Sequence, residues 1–164
     1  EVGLVVEIET ISETKVISYH EVLNKIASIK ITDNDTKNII TKRVFEYTDD
    51  GNLRLATTES GLSIILSYDE KARITEMTKV ASNGEQTQLQ FAYNNIGKPI
   101  LIKITDIGEI KVTYDDEGEI ETVDSEGGNN IALKVTQSFQ SLLSAVKPTG
   151  ISIDTRFNKI SAGI

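Results

Sequence analysis

Along the middle of the chain apolar residues alternate with polar ones at a period of two, the spacing of a half-buried strand. Leu62, Ile64, Leu66 and Tyr68 keep one parity, as do Leu89, Phe91 and Tyr93, then Ile100, Ile102 and Ile104, then Ile110, Val112 and Tyr114. Upstream, Ile39, Thr41, Arg43, Phe45 and Tyr47 hold the same parity with two polar interruptions. Stripes that end in tyrosine run into a polar turn, and this turn recurs. Its copies read Tyr47-Thr-Asp-Asp-Gly51-Asn-Leu53, Tyr68-Asp-Glu-Lys-Ala72-Arg-Ile74, Tyr93-Asn-Asn-Ile-Gly97-Lys-Pro-Ile100 and Tyr114-Asp-Asp-Glu-Gly118-Glu-Ile120. The tyrosines lie 21, 25 and 21 residues apart. A degenerate copy starts at Tyr19, where His20-Glu21-Val22-Leu23-Asn24 has lost the glycine.

Each copy reads as a tight hairpin. A strand delivers the tyrosine, the next side chain hydrogen-bonds the turn backbone, and Gly51, Ala72, Gly97 or Gly118 takes the φ > 0 position that closes it. Ala72 is strained there by its Cβ, and Thr48 holds its turn more weakly than Asp69, Asn94 or Asp115. Pro99 is tolerable as the first residue of its strand, where no ladder N–H is lost. Second turns at Glu59-Ser60-Gly61, Ala81-Ser82-Asn83-Gly84, Asp106-Ile107-Gly108 and Glu126-Gly127-Gly128 give two strands per repeat. Residues 2–11 and 15–19 suggest another hairpin turning near Ser12-Glu13-Thr14, and residues 26–31 suit pairing with 39–47 across Asp33-Asn34-Asp35. Phe139, Leu142, Leu143 and Val146 fall at i, i+3, i+4 and i+7, one face of a helix. Thr136 or Ser138 suits its start, Lys147 and Pro148 its end, and Ile151 to Ile153 read as a last short strand. The predicted fold is mainly β: one domain over 1–164, an antiparallel meandering sheet of repeated hairpins (about 15–135) with a short C-terminal capping helix (about 137–147).

Composition agrees with a packed β protein. The 164 residues are 38% hydrophobic and 26% charged, with two prolines and no tryptophan, and are rich in Ile, Val and Thr. A net charge of −8 repels phosphate backbones, which argues against nucleic acid and anionic membrane surfaces as partners. Absence of cysteine excludes disulfides, thiolate metal sites and a cysteine nucleophile. No apolar stretch has the length of a membrane span, and the start at Glu1 rather than Met fits a processed or excised piece of something longer.

The pattern Tyr-Asp-x-x-Gly-Arg-Leu at a spacing near 21 resembles the YD repeats of the rearrangement-hotspot, or RHS, family. The copies at Tyr68 and Tyr114 match best, and the resemblance covers residues 44–125, extending in weakened form over 15–135. It implies a wall of hairpins: large RHS proteins wind many such units into a shell around a toxic or otherwise folded polypeptide, and some YD-repeat proteins are thought to bind carbohydrate or cell surfaces. With four or five repeats, and without the self-cleaving aspartyl-protease core motif or a toxin tail, this chain would be an open sheet. It would be a segment of a larger bacterial shell or a small free-standing relative. The resemblance alone implies a secreted, periplasmic or cell-surface setting.

Candidate chemistry is sparse. His20 is the sole imidazole and follows a repeat-like tyrosine, the place of a strand or turn residue rather than a general base. Serine-hydrolase, Walker and metalloprotease motifs are missing. Asp49-Asp50, Asp69-Glu70 and Asp115-Asp116-Glu117 recur at equivalent turn positions, which turn chemistry and solubility explain without the paired acids of a glycosidase. Asp33-Asn34-Asp35 begins like a calcium loop, but Lys37 and Asn38 stand where an EF-hand needs an oxygen ligand and glycine. The tyrosines read first as packing residues whose rings join the buried stripe and whose hydroxyls reach a wetter rim. The leading expectation is a noncatalytic structural or interaction module, without cofactor or metal, able to self-associate through edge strands and to take protein partners. The alternative is a carbohydrate-binding or adhesive domain using Tyr47, Tyr68, Tyr93 and Tyr114 with Asn94, Asn95 and Asp115.

Overall fold

The structure is a computed structural model that describes residues 2–126. Among these residues the chain forms β1 (Val2–Glu9), β2 (Glu13–His20), β3 (Ile26–Asp33), β4 (Ile39–Tyr47), β5 (Leu53–Thr58), β6 (Ser63–Tyr68), β7 (Ile74–Val80), β8 (Gln86–Tyr93), β9 (Pro99–Ile104), β10 (Gly108–Tyr114) and β11 (Ile120–Glu126). All lie in one open sheet whose strand order is the chain order, every neighbour antiparallel. This is the expected meander, and the hairpins before the repeats join it: Val6 pairs with Ile17 in β1–β2, and Ile31 with Thr41 in β3–β4. The helix over 137–147, the strand near Ile151 and the turn continuing into Gly127-Gly128 lie outside the described residues.

Of the strands that end in tyrosine, β6, β8 and β10 keep their sequence parity, whereas in β4 a register shift sets Ile40 aside, so Ile39, expected on the buried stripe, is 40% exposed. Ile64 and Leu66 are buried while Ile65 between them is 42% exposed, and Ile110 and Val112 are buried on either side of exposed Lys111. Buried residues from Ile29 in β3 to Val112 in β10 form a single apolar cluster.

The strands that follow a tyrosine break parity, and always in one way. Glu46 pairs with Leu55 but Tyr47 pairs with Leu53, so Arg54 is an extra residue. The same β-bulge sets aside Ala27, Thr75, Ile100 and Glu121 opposite Tyr19, Tyr68, Tyr93 and Tyr114. A bulge places two residues against one and offsets the pleat, so the strand's first residue shares a face with the residue three further on. Hence Leu53 and Ala56 are both buried, and so are Pro99 and Ile102. The face expected for Ile100, Ile102 and Ile104 is corrected accordingly: Pro99, Ile102 and Ile104 are buried, and Ile100 is the bulged residue. Pro99 does open its strand, as its missing N–H requires.

The opposite turns also form. Those at Thr58–Leu62 and Ala81–Glu85 close on Gly61 (φ 82°) and Gly84 (φ 86°). In the third, between β9 and β10, Asp106 rather than the glycine takes the left-handed position at φ 62°.

Core position rather than hydrophobicity sets what each side chain contributes. Leu89, fully buried, should lose about 2–5 kcal/mol of stability on Leu89→Ala, read as a fall in urea midpoint, whereas Ile96→Ala at a 75% exposed turn position should change it by under about 0.5 kcal/mol.

Candidate functional site

All the tyrosine-led turns lie along one end of the sheet and share a bonding scheme. The residue after each tyrosine donates its N–H to the carbonyl four residues on: Thr48 to Asn52 (2.8 Å), Asp69 to Arg73 (2.9 Å), Asn94 to Lys98 (2.9 Å) and Asp115 to Glu119 (3.0 Å). Its side-chain oxygen accepts the N–H of that same later residue, at 3.0 Å for Thr48, 3.0 Å for Asp69, 2.8 Å for Asn94 and 2.8 Å for Asp115. Gly51, Ala72, Gly97 and Gly118 stand at φ 80°, 59°, 84° and 85°, so the left-handed residue that closes the hairpin is present in every copy. Ala72 takes the strained geometry its sequence position demanded. The turn after Tyr19 belongs to the same set with one residue more: His20 N–H reaches the Lys25 carbonyl (2.7 Å), and Asn24 supplies the left-handed residue at φ 50°. There the His20 Nδ1 accepts from the N–H groups of Val22 and Leu23, both at 3.3 Å, doing the work of the aspartate in other copies.

The tyrosine hydroxyls do not end at a wet rim. Each donates, at 2.7 Å, to a backbone carbonyl of the preceding strand: Tyr47 to Ile26, Tyr68 to Leu53, Tyr93 to Ile74 and Tyr114 to Pro99. Register explains why. Because the bulge draws the start of each of these strands toward its other neighbour, ladder pairing on this side stops two residues in, at Ser28–Val44, Leu55–Ile65, Glu76–Gln90 and Leu101–Lys111. The carbonyl of the strand's first residue then needs another donor, and the tyrosine hydroxyl supplies it. Half-buried and packed on the core cluster, the rings serve as core and as ladder together. Burial pushes the Tyr47 and Tyr68 hydroxyls up to about 12.

Sequence reasoning missed the third component. The residue just before the strand that follows each turn is Lys25, Asn52, Arg73, Lys98 or Glu119, and the three cations rest over the next tyrosine along the sheet. Lys25 Nζ is 5.6 Å from the Tyr47 ring centre, Arg73 Cζ 4.6 Å from that of Tyr93, and Lys98 Nζ 5.0 Å from that of Tyr114. Lys25 also donates to the Gly51 carbonyl at 2.5 Å, and Lys98 to the Gly118 carbonyl. At Gly118 glycine serves twice, for φ and for space, since a Cβ there would occupy the place of the Lys98 ammonium, whereas Cβ atoms at Gly51 and Gly97 would meet Lys25 and Arg73 at ordinary contact distances of 3.6 and 3.5 Å. The single copy with alanine, Ala72, is the one whose facing position holds the short Asn52. The signal was legible as a basic residue ahead of three apolar strand starts, each followed by an aromatic ring one repeat later.

The other candidates lie as turn chemistry predicts. Asp49, Asp50, Glu70, Asp116 and Glu117 are exposed on the turn tips, and Asn95 beside Asn94 is exposed. Asp69 is held by Arg73 (2.6 Å), and the hydrogen bonds from this guanidinium and from backbone N–H groups keep its carboxyl below the ordinary 3.8. Asp33 Oδ1 is taken up by Asp35 N, Thr36 N and Thr36 Oγ1 at 3.0, 2.7 and 2.9 Å, which fastens its loop rather than presenting a cation cage. Among the described residues no group of three His, Asp or Glu side chains is arranged to hold a metal ion, and no helix is long and apolar enough to cross a membrane.

Comparison with known proteins speaks to the fold. No protein-family model matches the chain, and no curated protein matches it in sequence. Among solved structures, the crystal structure of TcdB2-TccC3-Cdc42 is similar over 68% of this chain and 6% of that one, with a TM-score of 0.60 at 17% identity. A porin-like protein from Bacteroides uniformis covers 88% of this chain and 71% of its own at a TM-score of 0.42 and 15% identity, and carries no argument. The first likeness supports a related β-rich fold and a hairpin-repeat architecture, without bringing sequence kinship with it.

Two measurements check this site. Tyr93→Phe removes one donor, leaves the Ile74 carbonyl unpaired and should cost about 1–3 kcal/mol in urea unfolding, while Gly118→Ala, which must hold a positive φ and displace Lys98, should cost at least about 1–2 kcal/mol. In a pH series, the raised tyrosines contribute stability that is complete below their unfolded value near 10 and disappears as pH climbs through about 12. Asp69 acts in the opposite sense: its depressed folded value gives stability that is present above 3.8 and lost as pH falls through that folded value. Tyr68→Phe should flatten the alkaline limb and Asp69→Asn the acid limb, each leaving the other unchanged.

Proposed function

We propose that the chain is a noncatalytic structural module, a length of hairpin wall that works through its surfaces in a larger assembly of the RHS shell kind. The observation that carries this reading is the repetition of one coupling step, tyrosine hydroxyl to carbonyl, four times along the sheet with the same 2.7 Å geometry. A unit that joins its neighbour by an interaction repeatable without limit builds extended surfaces, and its stability is a sum of repeat and neighbour terms. Likeness to a stretch of TcdB2-TccC3-Cdc42 supports the wall-like reading and makes a protein the favoured partner. The extracellular, periplasmic or cell-surface setting goes with this reading, as does the absence of a cofactor. Sugar stacking on Tyr47, Tyr68, Tyr93 and Tyr114 has less support, because their hydroxyls bond backbone carbonyls and three of the rings already meet a cation.

Tandem duplication of residues 94–114 after Tyr114 tests the wall. It should fold and raise the urea midpoint, since it adds one complete step of the ladder. Both forms should be silent on a glycan array. Specific glycan binding by the parent that vanishes in Tyr93→Ala would establish the adhesive alternative instead.

A further inference from the structure

We infer that the sheet carries a built-in seam between β5 and β6, at which it opens as two blocks, β1–β5 and β6–β11. The four tyrosine-capped pairings are β3–β4, β5–β6, β7–β8 and β9–β10, and two separate features make the second of them the weakest. Its ladder is the shortest: three cross-strand pairs join β5 to β6, against five in β3–β4, five in β7–β8 and four in β9–β10. It lacks the cation. Lys25, Arg73 and Lys98 span the other three pairings to a tyrosine ring, and the equivalent residue here is Asn52, which leaves Tyr68 its hydroxyl bond to Leu53 alone. The strained turn adjoins this pairing without belonging to it: Ala72, at φ 59° where the other copies have glycine, sits in the turn that joins β6 to β7. At the far end of the pairing, Thr57 Oγ1 and Ser63 Oγ stand 3.5 Å apart, the outer limit of a hydrogen bond.

At this step position 52 lacks the long cation and position 72 holds an alanine in the left-handed region. In a sheet where each strand touches mainly its sequence neighbours, cooperativity is transmitted pair by pair, and the weakest pair divides the molecule into separately opening units. Opening there frees two strand edges, β5 and β6, whose unpaired backbone groups accept another strand. The seam stands independently of the function proposed above; in a wall it is the joint where an additional strand enters or the curvature changes.

Hydrogen exchange read by mass spectrometry on the full chain tests it. In the native protein the amides joining β5 to β6 (residues 55–57 and 63–65) should exchange about tenfold or more faster than those joining β7 to β8 or β9 to β10. The double variant Asn52→Lys with Ala72→Gly restores the missing step and should slow β5–β6 exchange by about tenfold, leaving β9–β10 unchanged. Lys98→Asn, the converse change, should speed exchange across β9–β10. Equal protection of all four pairings in the native chain would overturn the inference by itself, whatever the variants do, and so would a correctly folded double variant whose β5–β6 exchange is not slowed.

Discussion

One hydrogen bond, from a tyrosine hydroxyl to the carbonyl of the first residue in the preceding strand, is the constraint on which this sheet depends. It exists because of the bulge. A tight hairpin closed by a left-handed residue, followed at once by an extra residue in the outgoing strand, leaves that strand bonded on one side and short of partners on the other. An unpaired carbonyl at a half-buried site costs about 1–3 kcal/mol, so each bulge creates a demand that the following repeat must meet. Phenylalanine would fill the same volume and leave the demand unmet.

Around this bond the remaining features are consequences. The ring must reach from one strand across to its neighbour, which holds it over the apolar cluster and shields one face; the cation that precedes the strand start covers another. Lys25 and Lys98 in turn reach the backbone of the next turn, and at Gly118 a side chain would take the ammonium's place. Turn, bulge, tyrosine, cation and glycine are thus one mechanical unit displaced along the sheet, each copy completed by the next. At one step, Asn52 and Ala72, both members differ together.

Side chains that recur at the turns spend their hydrogen bonds on backbone: Asp69, Asn94 and Asp115 hold N–H groups, and His20 does the same through its ring nitrogen. The outer face offers single apolar residues such as Val44 and Ile65 among charged and hydroxyl side chains. What the architecture supplies in quantity is surface and edge.

The order of strands, the antiparallel meander and the positive-φ turn positions were legible in the residues themselves, because period-two alternation and turn chemistry are local: Tyr68 through Ile74 specifies its hairpin without reference to any other segment. Local reasoning also anticipated the strain at Ala72 and the place of Pro99. It failed where a residue answers to a neighbouring strand. Ile100 has the alternation of a core residue, yet the pairing of Tyr93 with Pro99 sets it aside as the bulge. The tyrosine hydroxyl has no local partner, and the carbonyl it bonds lies 15 to 21 residues earlier in the chain. Lys25, Arg73 and Lys98 look like ordinary solvated turn residues until the sheet sets them over rings one repeat away. Backbone conformation is decided by the nearest few residues; which polar groups remain short of a partner, and what satisfies them, is decided only when strands come together.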